Sequence, residues 1–416
     1  TVPATVLDLG HGSADFVPLI PTIETDPIIP MTDLRSRPLI EKLVGFDTTS
    51  HYSNLELMAF VQDYLKSHGV DSQLIHDATG TKANLYSTLG PTDRGGIMLS
   101  GHTDVVPVDG QDWATDPFKV TEKDGKLYGR GTSDMKSFIA IALAYVPEFL
   151  KRGLATPIHL AFSHDEEVGC IGVRSLIKMM NEQPIRPVMG IIGEPTSMQV
   201  CVGHKGKRSF RAIFKGKEAH SSLTPMGVNA VDYAARLAVF LRGMADRIAG
   251  DGPFDELYDV AYTTVHTGVM KGGEQLNIVP GHCRMDFEFR HLPKHDPDAL
   301  QAEIMAMVGE LEAEMKAHSP ETGIEVEELS GIPALDTDPT EEVVTLAKQL
   351  AGRNDHAAVA FGTEAGLFQQ SAGVPCVIIG PGSINEAHKP NEFISLDQVA
   401  KGEGFMARLA DKVCAS

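Results

Sequence analysis

IMLSGHTD, residues 97–104, is an apolar run of strand composition that breaks on a histidine and an aspartate. Two later segments have the same build, HLAFSHDEE at 159–167 and GIIGEP at 190–195. In each, a short aliphatic stretch reads as a buried strand, and the charged residues fall just past its end. Helical stretches at 55–68 and 137–151 alternate with these runs and with a last apolar run at 374–380. That alternation predicts an α/β domain with a mixed, mainly parallel sheet flanked by helices. Ligands of such sheets gather at the C-terminal strand edge, so the three charged clusters are expected on one edge.

Two more segments are expected to join them. GRGTSDMK, 129–136, reads as a loop that opens a helix at Lys136, and AHKPNEF, 387–393, follows the last predicted strand through a glycine-rich turn. Together the five segments supply His102, Asp134, Glu167, Glu194 and His388. Two divalent ions about 3.5–4 Å apart need a bridging carboxylate, nitrogen or oxygen ligands on each side and an open position for water, which this set can provide. Asp104, two residues past His102, is placed to accept the far ring proton and fix the tautomer. Glu166, left over beside Glu167, is the unligated carboxylate that a general base requires. Singly, each has an ordinary reading: HxD as local hydrogen bonding, EE as a solvated face, Asp134 as a helix cap. Their recurrence in order, each by a strand end or helix start, favours one chemical site.

The chain has 416 residues, enough for two packed domains with buried cores. Its 36 basic and 56 acidic side chains give a formal charge of −20, which argues against nucleic acid or acidic lipid surfaces as partners. Five scattered cysteines without a CxxC pair argue against a disulfide framework and suggest a reducing, cytoplasmic setting. The longest apolar run, 138–146, stops at Pro147, short of the roughly 20 residues that cross a bilayer. Residues 1–31 carry several prolines and no helical period, and read as an N-terminal extension. Met31 is a plausible start, with Thr32 capping a helix whose Leu39, Ile40, Leu43 and Val44 share one face.

The middle of the chain departs from this pattern. A strand at 207–217, a helix at 228–248, strands at 262–269 and 283–290 and a helix at 298–317 make a βαββα module inserted into the first domain. The expected division is a catalytic domain at 32–206 and 318–416 interrupted by a smaller α+β domain at 207–317.

SGHTDVVPV (100–108), YGRGTSDMK (128–136), HDEEVG (164–169), GEPTS (193–197), GKEAHSS (216–222) and AHKPNEF (387–393) resemble, in order, the M20 metallopeptidase and amidohydrolase family over about 32–416. The resemblance implies a zinc-peptidase-like catalytic domain and two Zn2+ per subunit, with Co2+ as a possible substitute. His102 and Glu194 would hold one ion, Glu167 and His388 the other, Asp134 both, and Glu166 would be the base. It also implies that the inserted module is a ferredoxin-like lid that makes a homodimer. His220 would then reach the partner's site and stabilise the oxyanion, with Asn277 of NIVP and Arg290 of FEFRHLP holding an N-acyl amino acid. HKG (204–206) and FGTEAG (361–366), the latter with Gly362 and Thr363 as substrate contacts, resemble acetylornithine deacetylases more than succinyl-diaminopimelate desuccinylases. Aminoacylase or dipeptidase activity stands behind these two, and a catalytically silent metal-binding scaffold is the non-enzyme alternative.

Overall fold

In the computed structural model, which describes residues 34–415, the strand Ile97–His102 lies inside a nine-stranded sheet. Ile158–Ser163 pairs parallel on one side of it and Met189–Ile192 parallel on the other. His102 lies opposite Ser163, and Ser100 opposite Ile192. The segments carrying Glu166, Glu167 and Glu194 therefore leave the sheet at the edge where His102 ends. Beyond them Cys376–Ile378 adds a further parallel strand, Ala83–Leu89 and Ser72–His76 run antiparallel to their neighbours, and Cys201–His204 runs antiparallel to Cys376–Ile378 but parallel to Ala357–Val359. The sheet is mixed with a parallel centre.

The central strands are apolar on both faces because both faces are covered. Leu99 packs in a core with Ile40, Ile139 and Phe405, from the helices Arg37–Val44, Lys136–Ala144 and Leu396–Val413. Met98 and Ile192 pack on the other face with Leu176 and Phe368, from Val173–Asn181 and Ala365–Ala372. The helix expected at 137–151 forms as two, Lys136–Ala144 and Val146–Arg152. Pro147 has no N–H to continue the first helix and sits in the first turn of the second, where none is needed. Ile40, Leu43 and Val44 are buried on one face as the periodicity predicts, with Leu39 partly buried beside them. Ser36 precedes that helix, its N–H and Oγ directed to Glu403 at 2.8 and 2.7 Å. The cap expected at Thr32 and the extension at 1–31 lie outside the described residues.

The inserted domain is a four-stranded antiparallel sheet in the order Thr264–Gly272, His282–His291, Gly206–Lys215, Gly323–Ile332. Helices Ala230–Asp251 and Pro297–His318, N-capped by Asn229 and Asp296, cover one face. Along His282–His291 the residues Cys283, Met285, Phe287 and Phe289 point into that core, and Arg284, Asp286, Glu288 and Arg290 stand on the open face. The expected boundary at 317/318 is corrected here. Gly323–Ile332 pairs with Gly206–Lys215, Ile324 opposite Phe214, so the domain runs to Ile332 and the catalytic sheet resumes at Leu335–Asp336. This edge strand buries only Ile324 and Ile332 and leaves EVEELSG at least partly exposed, so it lacks the apolar signature of a core strand. Among the described residues no helix is long and apolar enough to cross a membrane, and all five cysteines are free and buried.

Candidate metal centre

The five expected ligands meet at one sheet edge. His102 Nε2 lies 3.1 Å from Asp134 Oδ1, and His388 Nε2 lies 3.2 Å from Asp134 Oδ2. Glu167 Oε2 is 3.0 Å from His388 Nε2, and Glu194 Oε1 is 3.9 Å from His102 Nε2. One carboxylate thus faces two imidazoles with its two oxygens, and a further carboxylate flanks each imidazole. Donor atoms of His102, Asp134 and Glu167 all fall within 4.8 Å of one another, close enough to share an ion.

The electrostatics of the cluster call for cations. Burial, with the charges of neighbouring carboxylates, pushes Glu166 and Glu194 well above the usual carboxyl range, and burial with Asp134 raises Glu167. Burial also works against the charge of Asp134, yet hydrogen bonds to His102 and His388 hold its carboxyl below the usual range. The same pairing with Asp134 and Glu167 lifts His388 to about 10. For His102, burial opposes the charge, but Asp104 and Asp134 outweigh it and raise the imidazole well above its ordinary value. Both imidazoles thus sit where the surrounding carboxylates favour positive charge. Glu194 Oε1, buried and without a hydrogen-bond partner, is the orphan that an ion would satisfy. The donor set of carboxylate oxygens and imidazole nitrogens fits divalent zinc-type ions.

Asp104 does its work differently from the expectation. His102 Nδ1 lies 2.9 Å from the main-chain oxygen of Asp104 and 3.6 Å from its carboxylate. The carboxylate instead accepts the N–H groups of Glu166 and Glu167 at 3.1 and 3.2 Å and the Ser50 hydroxyl at 2.8 Å. The carbonyl fixes the histidine and the carboxylate fixes the glutamate turn. Glu166 itself lies beside Glu167 with its Oε1 3.5 Å from the Cys170 thiol. No room exists behind Glu194, since a Cβ on Gly193 would lie 2.0 Å from the Phe138 ring.

A cavity of about 300 Å3 opens over these residues. Asp134, Glu166, Glu167, Glu194 and His388 form its floor, Arg290 and Lys207 come from the inserted domain, and Phe361, Gly362 and Ile384 line a wall. Thr363 is buried beside Gly362, its hydroxyl accepting the Ala365 N–H at 3.1 Å. Lys207 belongs to none of the motifs in the sequence and stands opposite Arg290 in the strand register. Only the register could have revealed it. Glu288 accepts Arg290 Nε at 2.9 Å.

His220 and Asn277 do not line the cavity. Both lie on an exposed edge of the inserted domain, where His220 bridges to Ile278 and Ser221 N–H donates to Asn277 O at 2.9 Å. His220 Nδ1 accepts from Ser222 N–H at 3.2 Å and caps the short turn Ser221–Met226.

Fold and site together define a two-domain metal-dependent hydrolase with a carboxylate–histidine centre. Residues 98–412 match Peptidase family M20/M25/M40, and the chain belongs to that family. It is 32% identical over 370 residues to the acetylornithine deacetylase of Pasteurella multocida, covering 87% of this chain and 92% of that one. With the acetylornithine deacetylase of Myxococcus xanthus it shares 31% identity, covering 91% and 97%. Among solved structures, an M20 family metallo-carboxypeptidase of Sulfolobus solfataricus superposes with a TM-score of 0.73 at 19% identity, over 91% of this chain and 98% of that one. A Staphylococcus aureus tripeptidase gives 0.71 at 21%, over 92% and 100%. The protein is accordingly a metal-dependent enzyme that hydrolyses amide bonds.

Proposed function

We propose that the enzyme hydrolyses N2-acetyl-L-ornithine to L-ornithine and acetate in the cytoplasm, with two zinc ions per subunit that cobalt can replace. The observation that carries the two-ion reading is Asp134, whose two carboxylate oxygens face two different imidazoles, His102 and His388. His102 and Glu194 would hold one ion, Glu167 and His388 the other, with Asp134 between them. Bound there, the ions would polarise a water and the scissile carbonyl. Glu166 takes the proton of the attacking water and returns it to the leaving nitrogen, so that the amide becomes a carboxylic acid and an amine, which settle as carboxylate and ammonium once the acid proton passes to the amine. Arg290 anchors the substrate carboxylate. With its Nε taken by Glu288, its two terminal nitrogens remain for a bidentate contact. Gly362 and Thr363 add substrate contacts within the chain, and Asn277 and His220, both outside its own cavity, serve the site from a second subunit of a homodimer, where Asn277 holds the substrate and His220 stabilises the oxyanion.

The named relatives support acetylornithine as substrate. The motifs HKG and FGTEAG, whose resemblance points the same way, meet where Gly366 N–H donates to His204 Nε2 at 3.2 Å. Lys207 favours a second reading, since a second cation beside Arg290 would suit a substrate with an additional carboxylate, such as N-succinyl-diaminopimelate. The ratio of kcat/KM for the two substrates with zinc-loaded protein decides between them. A higher value for acetylornithine is expected, and a higher value for the succinylated substrate sinks the first reading. Chelation should abolish turnover and zinc restore it. Full activity of metal-free protein would end the two-ion proposal.

A further inference from the structure

Glu392 lies four residues past His388 in the chain and is 1% exposed. Its Oε1 accepts the main-chain N–H groups of Gly131, Ser133 and Asp134 at 3.0, 2.8 and 3.1 Å. Its Oε2 receives Arg130 Nη1 at 2.6 Å, and its main-chain oxygen receives the Gly129 N–H at 2.9 Å. Every donor belongs to the loop that presents Asp134. Arg130, equally buried, extends the connection by giving Nη2 to Gln111 Oε1 at 2.7 Å, and Gln111 Nε2 reaches His388 O at 3.2 Å. On the far side Asn391 Oδ1 accepts the Ala114 N–H at 2.8 Å. His388 and Asn391 both sit at positive φ, 61° and 59°, a backbone state that persists only where surrounding contacts hold it.

We infer that Glu392 is a positioning residue that clasps the Asp134 loop to the His388 loop, setting the spacing of both side chains before an ion arrives. The physical basis is reciprocal. A buried carboxylate needs several donors, and a buried loop with three inward N–H groups needs an acceptor. One side chain meets both needs, and it does so from the segment that carries His388. The two loops are far apart in the chain, and they also meet where Ser133 Oγ exchanges hydrogen bonds with Ser383 at 3.0 Å and where Phe393 pairs with Tyr128. Those contacts join the loops at their flanks, whereas Glu392 alone gathers the N–H groups of the turn that carries Asp134, so without it an ion would have to order that turn as well as bind it. The inference rests on the reading of Asp134 and His388 as ligands.

The test is zinc affinity of the full chain, measured by competition with a chromophoric chelator, together with the melting temperature of the metal-free protein. Glu392→Gln keeps the length but sets an amide N–H2 against Arg130. Zinc affinity should fall about 10- to 100-fold, the range for outer contacts of metal ligands. If that variant does not fold, Arg130→Met with Glu392→Met decides the matter, because exchange of a buried ion pair for apolar residues of similar size is tolerated. The exchange still deprives the three N–H groups of their acceptor, so the same loss of affinity is expected. Gln111→Ala should weaken zinc by a smaller factor. Wild-type affinity in the folded Glu392 variants, even with a lowered melting temperature, would overturn the clasp and leave Glu392 a structural residue. The control is His388→Ala: if it binds zinc as wild type does, the reading of the ligands fails rather than the clasp.

Discussion

Glu166 and Glu167 carry the same side chain one residue apart, and Asp104 holds the N–H of each. What separates them is their surroundings: the Glu167 carboxylate meets His388 at 3.0 Å, whereas that of Glu166 lies 3.5 Å from the Cys170 thiol. Glu166→Gln should therefore keep its metal and lose about 10²- to 10⁴-fold in turnover, as removal of a general base does. Glu167→Gln should instead lower bound zinc, read by elemental analysis. Equal metal loss in both would refute this division of roles. Glu364 gives a pH-dependent test. Burial raises its carboxyl from 4.5 to about 7. A folded value above the unfolded one means that its contribution is complete below pH 4.5 and is lost as pH rises through 7. Relative to Glu364→Gln, metal-free wild type should lose about 3 kcal/mol across that window, measured by urea unfolding at each pH. A constant difference would show that the carboxyl is not held protonated. At this scale the side chains that gather at the site, His102, Asp134, Glu167, Glu194 and His388, were legible in the sequence, because few residue types suit a divalent ion and each sits just past a strand or at a loop. The roles of Asp104 were only half legible. In HxD the carbonyl and the carboxylate of the aspartate both lie near the imidazole, and spacing does not say which one the ring takes.

At the level of elements, the three parallel strands were legible because burial on both faces leaves them continuous apolar runs. The strand Gly323–Ile332 was not. Its pairing with Gly206–Lys215 joins segments more than a hundred residues apart, and its half-exposed pattern carries no apolar signature. Lys207 was hidden too, since its place opposite Arg290 exists only once Gly206–Lys215 and His282–His291 are in register. The packing of helix on strand also fixes the metal edge. Gly193 lies under the Phe138 ring, so Gly193→Ala forces a methyl group to within 2.0 Å of it. The variant should be destabilised by about 1–3 kcal/mol, the usual cost of overpacking. Phe138→Leu in the same chain should recover part of that loss, giving a favourable coupling in a double-mutant cycle. Additive losses would mean that the ring yields without cost.

At the scale of the whole molecule, the inserted domain contributes Arg290 and Lys207 to the cavity of its own chain, but it presents His220 elsewhere, on an exposed edge. Around His220 stand Leu223, Met226 and Leu276, all largely exposed, the last completely so. At the metal edge Val168 and Ile171, just past Glu167, are also exposed, as is Tyr52. Exposed apolar side chains on both surfaces suit contact between two copies of the chain better than contact with water. In a symmetric pair each copy would supply the His220 edge to the other's metal edge. A donor placed where the tetrahedral oxygen gains its charge is worth about 10²- to 10³-fold in turnover, so His220→Ala should slow catalysis by that factor and leave zinc bound. The decisive experiment mixes His220→Ala subunits with Glu166→Gln subunits, each slowed about 10²-fold or more alone. If service is in trans, a mixed dimer holds one site with both Glu166 and His220. Equal mixing makes half the dimers mixed, so about a quarter of wild-type turnover should return. If mass spectrometry confirms mixed dimers and no activity returns, His220 acts within its own chain or outside catalysis.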